Sequence, residues 1–232
     1  MSDHTSKQFH SELEAVRSSV LQMGGLVEAQ ILSAVECIAS GDMVEMDRVI
    51  ANDKAVNRME VDLDERCSNI IARRQPTAGD LRMLMTVVKM ITDLERIGDE
   101  AEKIARMARM IHEANKAHLP RIELAHMASV AVAMLRKALD AFARLDVLAA
   151  AQVVRQDLVV DDEFRAVIRQ LITFVMEDPR TISRTIEVLF IAKAIERIGD
   201  HAKNMSEYTV YMVKGRDVRH TGIEEIEREA AQ

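Results

Sequence analysis

The chain of 232 residues has no tryptophan, two cysteines, three prolines and eight glycines, and aromatic residues make up 3% of it. Few breakers and few aromatics, beside much Ala, Leu, Met, Glu and Arg, point to an all-helical protein. The two cysteines, Cys37 and Cys67, lack any metal-binding or redox spacing. They read as reduced, partly buried thiols of a cytoplasmic protein. No run of about 18 apolar residues offers a membrane span. The start, Met1-Ser2-Asp3-His4, lacks the basic residues and apolar stretch of a signal peptide. A basic excess is also missing. Lys and Arg number 31 against 38 Asp and Glu, a net charge of -7, which argues against a nucleic-acid partner. No Gly-rich phosphate loop and no nucleophile–base pairing suggests an enzyme.

What is present is a core-forming composition and a repeat. Hydrophobic residues make up 48%, and 15 methionines supply adaptable packing. The pentapeptide Glu95-Arg96-Ile97-Gly98-Asp99 recurs as Glu196-Arg197-Ile198-Gly199-Asp200, 101 positions later. Six long helical segments are legible, in two matching sets of three. The first spans about residues 7–39, with Gly24-Gly25 as the place for a bend. Ser40-Gly41-Asp42 reads as a C-terminal glycine followed by an N-cap aspartate. The second runs to about Arg74, where Gln75-Pro76-Thr77 breaks it, and Thr77 with Asp80 resembles a capping box. The third ends near Ala114. In the second set, Pro120 opens the fourth helix, Asp146 caps the fifth, and Asp178-Pro179 precedes the sixth, which fades near Lys214. Short connections make neighbours antiparallel. The expected fold is therefore all-α, two similar antiparallel three-helix bundles from an internal duplication. The expected divisions are residues 1–115, residues 116–214 and a polar, frayed or partly helical tail of residues 215–232. A single continuous six-helix bundle is the alternative.

Each pentapeptide puts two carboxylates at i and i+4, on one helix face. In the third helix, Leu84, Val87, Val88, Ile91 and Leu94 form an apolar arc, and Glu95 falls in its middle with Asp99 near its edge. Glu102 returns to the middle. Gly98 lies on the same arc and costs about 1 kcal/mol of helix propensity relative to Ala. In the sixth helix, Glu196 and Asp200 continue the arc of Val188, Leu189, Ala192 and Ile195, while Lys203 replaces Glu102. Asp53 with Asn57 in the second helix, and Asp157 with Asp161 in the fifth, repeat the i, i+4 polar spacing. In antiparallel hairpins these side chains face the pentapeptides. Carboxylates on a core face need pairing or a cation. Clustered oxygen donors suit magnesium, calcium, manganese or iron. The plainer reading pairs the acids with Arg96, Lys103, Arg197 and Lys203 on solvated faces.

The doubled Glu-x-x-x-Asp motif, Ile71-Ala72-Arg73-Arg74-Gln75-Pro76 and Asp80-Leu81-Arg82 together carry a resemblance to the PhoU family of phosphate-signalling regulators, over essentially the whole chain. The resemblance implies two three-helix bundles, commonly in a homodimer. It also implies metal, as iron or zinc clusters in some members, at Glu95 and Asp99 with Asp53, and at Glu196 and Asp200 with Asp157 and Asp161. Manganese or magnesium would suit the same oxygen donors. Asn57, in place of a carboxylate, predicts two sites of unequal strength. The implied role is non-enzymatic. It is negative regulation of the phosphate-starvation response, as an adaptor between a phosphate ABC transporter ATPase and a sensor histidine kinase, with membrane association only through these partners. A di-metal oxidase is the chief competitor, but it needs repeated Glu-x-x-His motifs. Only Glu123-Leu124-Ala125-His126 fits. A metal store without a signalling role is the third reading. His201, beside Asp200, reads as a surface group or one that supports a ligand.

Overall fold

A computed structural model describes residues 2–113 and 124–231, with side chains from residue 7 onward. Its helices are α1 (Ser2–Ser40), α2 (Met43–Arg74), α3 (Ala78–Glu113), α4 (Leu124–Arg144), α5 (Val147–Glu177), α6 (Ile182–Lys214) and α7 (Ile223–Ala231). The expected boundary at 115–116, and Pro120, lie outside the described residues.

The punctuation works as its chemistry dictates. Gly41 closes α1 with φ 68°, a left-handed conformation that glycine adopts without strain. The Asp42 carboxylate then accepts the Val44 and Glu45 N–H groups, at 3.0 and 3.1 Å, and opens α2. Asp146 caps α5 in the same way through the Ala149 N–H, at 2.9 Å. The residue before it is not glycine; Leu145 holds φ 57°. Gln75 ends α2 with φ 48°, and Gly215 ends α6 with φ 75°. At the start of α3, the Thr77 hydroxyl donates to the Asp80 carboxylate at 3.5 Å. Pro179–Thr181 forms one 3-10 turn ahead of α6.

α1 runs through Gly24-Gly25 as an unbroken helix. Gly24 has a packing reason. A Cβ there would stand 2.5 Å from a methyl of Leu139 in α4, so the two helices meet closer than any side chain allows. Over Lys7–Ser40 the helix is long and apolar enough to cross a membrane. Its apolar stripe of Val16, Val20, Met23, Val27 and Ile31 is instead buried in the core.

The helices form two three-helix units, α1–α2–α3 and α4–α5–α6, as expected of a duplication. The largest helix–helix interface, however, is α3 against α6, between the units. One continuous apolar core, from Val20 and Val56 through Ile97 to Ile198 and Leu135, spans both. Cys37 and Cys67 are fully buried free thiols, and burial raises both to about 11.

The tail, expected to be frayed or partly helical, carries α7. Ile223, Ile226 and Ala230 make an apolar stripe at helical spacing, and with Val218 they pack on Ala150, Ala151 and Val154 of α5. Arg155 of α5 binds Glu227 through two hydrogen bonds and fixes the dock.

Candidate functional site

The pentapeptides sit on α3 and α6, each facing the preceding helix of its own unit. A Cβ at Gly98 would stand 3.2 Å from Val56 and 3.5 Å from the Asp53 carboxylate. At Gly199 it would stand 3.4 Å from Val160. The missing side chain makes room for a valine one turn beyond an aspartate, in both units.

In the first unit, buried Asp53 accepts from Asn57 Nδ2 at 3.0 Å, and its Oδ1 finds no hydrogen-bond partner. Burial, then the charges of Asp99 and Glu102, push its carboxyl above the ordinary range. Glu95 is half-buried and Asp99 exposed. Both are raised too, first by burial and then by neighbouring carboxylates. In the second unit, Glu196 receives Lys193 Nζ at 2.6 Å, and Asp157 receives Lys203 Nζ at 2.8 Å. Asp200 is raised to about 6, chiefly by burial and then by Glu196 and Asp157. Asp161 stands 4.0 Å from Arg165.

The expected acids are thus brought into two neighbourhoods, but not onto two points. Among the described residues, no three His, Cys, Asp or Glu side chains form a group able to hold an ion. The expectation of iron, zinc, manganese or magnesium at these carboxylates is therefore corrected. Part of the physical reason is that lysines, an arginine and an amide already take oxygens of four of these acids. Lys193 takes Glu196, Lys203 takes Asp157, Arg106 takes Glu102, and Asn57 takes Asp53. Glu123 of the lone Glu-x-x-His lies outside the described residues, and His126 is exposed, 3.7 Å from Glu163.

The denser polar chemistry lies in the seam between units. Glu100 of α3 is buried, with Lys103 Nζ at 2.6 Å and Arg197 Nε of α6 at 3.2 Å. Two turns back along α3, buried Asp93 faces His201 Nδ1 at 2.6 Å and accepts from Asn204 Nδ2 at 3.4 Å. Tyr208 is pushed up to about 12, first by burial and then by Asp93. The Lys89 ammonium sits over the rings of Tyr208 and Tyr211, at 5.3 and 5.4 Å. His201 is thus a buried partner of Asp93, not a surface group. Glu207 of α6 is buried as well and rises to about 7, mainly from that burial.

The sequence reading missed Asp93 and Glu100. The available signal was a second apolar face on α3, Met90, Ile97, Ala101, Ile104 and Ala108, at helical spacing on another side from the arc through Leu94.

Beside the seam, Arg96, Lys103, Arg106 and Arg197 line an open cleft of about 640 Å³ together with Asp99, Glu100 and Glu102. Such a mixed-charge surface suits recognition of a polar partner segment rather than enclosure of an apolar ligand.

Comparison with known proteins fits this architecture. The family model of the PhoU domain matches twice, at residues 20–108 and 124–209. A phosphate-specific transport system accessory protein PhoU homolog from Burkholderia sp is 47% identical over 229 residues, covering 98% of this chain and 97% of that protein. The phosphate-specific transport system accessory protein PhoU of Escherichia coli K12 is 45% identical, over 98% and 94%. The crystal structure of PhoU from Pseudomonas aeruginosa superposes with a TM-score of 0.86 at 44% identity, covering 90% of this chain and all (100%) of that one. The phosphate transport system regulatory protein PhoU from Streptococcus pneumoniae superposes with a TM-score of 0.84 at 27% identity, over 90% and 99%. With two domain matches in register with its two helical units, and relatives alike from end to end, the chain belongs to the PhoU family.

Proposed function

We propose that the protein is a non-enzymatic regulator of phosphate homeostasis that restrains the phosphate-starvation response and phosphate uptake. The observation that carries this is likeness, over nearly the whole chain, to accessory proteins of phosphate-specific transport. In this reading it works as an adaptor on the cytoplasmic side. It contacts the ATPase of a phosphate ABC transporter and a sensor histidine kinase, and reaches the membrane only through them. The working unit is a homodimer.

The charged cleft beside the α3–α6 seam is the adaptor surface that the geometry favours. It is open, it carries four cationic side chains, and both units contribute to it. Pulldown with the ATPase and the kinase tests the reading. Arg96→Glu with Arg197→Glu is expected to weaken capture of at least one partner, and a deletion strain to express phosphate-regulated genes in rich phosphate. Normal repression in the deletion strain would remove the regulatory reading. Unchanged capture by the double variant would remove only the cleft.

A further inference from the structure

The geometry points to the bare end of the α5–α6 hairpin as the surface through which two copies of this chain pair. This rests on the homodimer named above and adds which face makes it. At that end Ile172, Met176, Ile182, Ile186 and Phe190 are 55%, 79%, 50%, 45% and 52% exposed. The first four line a groove of about 300 Å³ walled by apolar side chains, Val175 and Leu189 among them, and Phe190 lies one turn beyond Ile186. Large apolar groups grouped in this way on one face mark an interaction site.

Among the described residues, the two units cover their hairpins differently. In the first, the opening turns of α1 lie along the end of the α2–α3 hairpin. Leu13 and Val16 are buried there, and Glu12 holds Arg74 through two hydrogen bonds of 3.0 and 2.7 Å. α1 has 39 residues, but α4 has 21. With His126 beside Glu163, the described part of α4 flanks α5 as far as the turn before Val167, and residues 114–123 lie outside the described residues. The last turns of α5 and the first of α6 keep a larger apolar face than the matching hairpin, where Leu81 and Met85 are 38% and 44% exposed.

Area and charge favour a second copy as the occupant. About half of each of five large side chains amounts to roughly 600 Å² of apolar surface, approaching the ~800 Å² that each partner contributes to a standard interface. The molecule carries a net charge of -7, yet residues 168–190 are balanced. Arg169, Arg180 and Arg184 stand against Glu177, Asp178 and Glu187. A rim with both signs can meet its own image about a two-fold axis without repulsion, whereas a lipid surface would call for a basic excess. Two hairpins then close one four-helix contact.

Analytical ultracentrifugation of the full chain tests this, with Met176→Glu and Ile186→Glu as separate variants and Val44→Glu as a control on an exposed valine of α2. Wild type and Val44→Glu are expected at the mass of two chains, and both hairpin variants at the mass of one, with unchanged far-UV circular dichroism. Two independent variants guard against one failing to fold. Dimers persisting in both folded variants would overturn the surface and leave the homodimer standing. A monomeric wild type would overturn both, and co-sedimentation of that monomer with anionic vesicles would assign the groove to lipid.

Discussion

Asp93 and His201 are two buried side chains that only make sense together. Neither belongs to a repeated motif, and their rings and oxygens meet across the seam at 2.6 Å. Removing one partner leaves the other desolvated and unpaired. Asp93→Ala is therefore expected to cost about 3–5 kcal/mol of stability in urea titration, an amount out of reach for the exposed pairs such as Arg66–Asp62. Glu207 gives a different signature. Its folded pKa of about 7 lies above its ordinary 4.5, so the folded state holds the proton more tightly than the unfolded one. The stability it contributes is whole below the unfolded value and is lost as pH rises through about 7. Urea midpoints at pH 5 and pH 8 should show the wild type losing about 1–3 kcal/mol more than Glu207→Gln over that interval. An equal loss in both would assign the pH dependence to other groups, Asp200 first among them.

At the scale of the helix, much was legible because local chemistry acts alone there. Asp42, Gly41 and Asp146 do at the helix ends what their side chains and backbones do anywhere. Where tertiary contact decides, the sequence was silent or misleading. Gly24 suggested a bend and instead admits Leu139. The residues after Lys214 read as a frayed or partly helical tail, and three apolar side chains at the right spacing decide for the helix by docking α7. The acids of the pentapeptides suggested an ion, but Lys193 pairs with Glu196 within α6, and the neighbouring Asp157 and Asp53 are taken by Lys203 and Asn57. The glycine can be tested directly. Ala is the better helix former by about 1 kcal/mol, yet Gly24→Ala should destabilise by about 1–3 kcal/mol through overpacking. The same change in a Leu139→Ala background should lose that penalty, and thermal melts of the four proteins would read the coupling.

For the molecule as a whole, the telling feature is that α3 and α6 are enclosed by helices on several sides. A single apolar arc describes a helix at the rim of a bundle. It fails for a helix shared by two bundles, which is why Asp93 and Glu100 stayed hidden while Glu95 stood out. Enclosure also makes the halves dependent on each other, since the core runs through the seam without a break. A fragment of residues 1–113 would expose Ile97, Ala101 and Ile104 to water. It is expected to bind a hydrophobic dye and melt without a cooperative transition, while the full chain unfolds in one step. A fragment that melts sharply on its own would show that the seam joins two finished domains.

The contact of Glu100 with Arg197 carries a history. Positions 96 and 197 are equivalents, and so are 100 and 201. Two separate copies of one repeat, meeting about a two-fold axis, would form that ion pair twice with the same residues. Joined in one polypeptide, the two occurrences became separately heritable. In this chain one occurrence carries Glu100 against Arg197, and the other carries His201, which turns inward to Asp93. From that point each unit carried something the other lacked, and an ancestor of half the length could no longer replace either one.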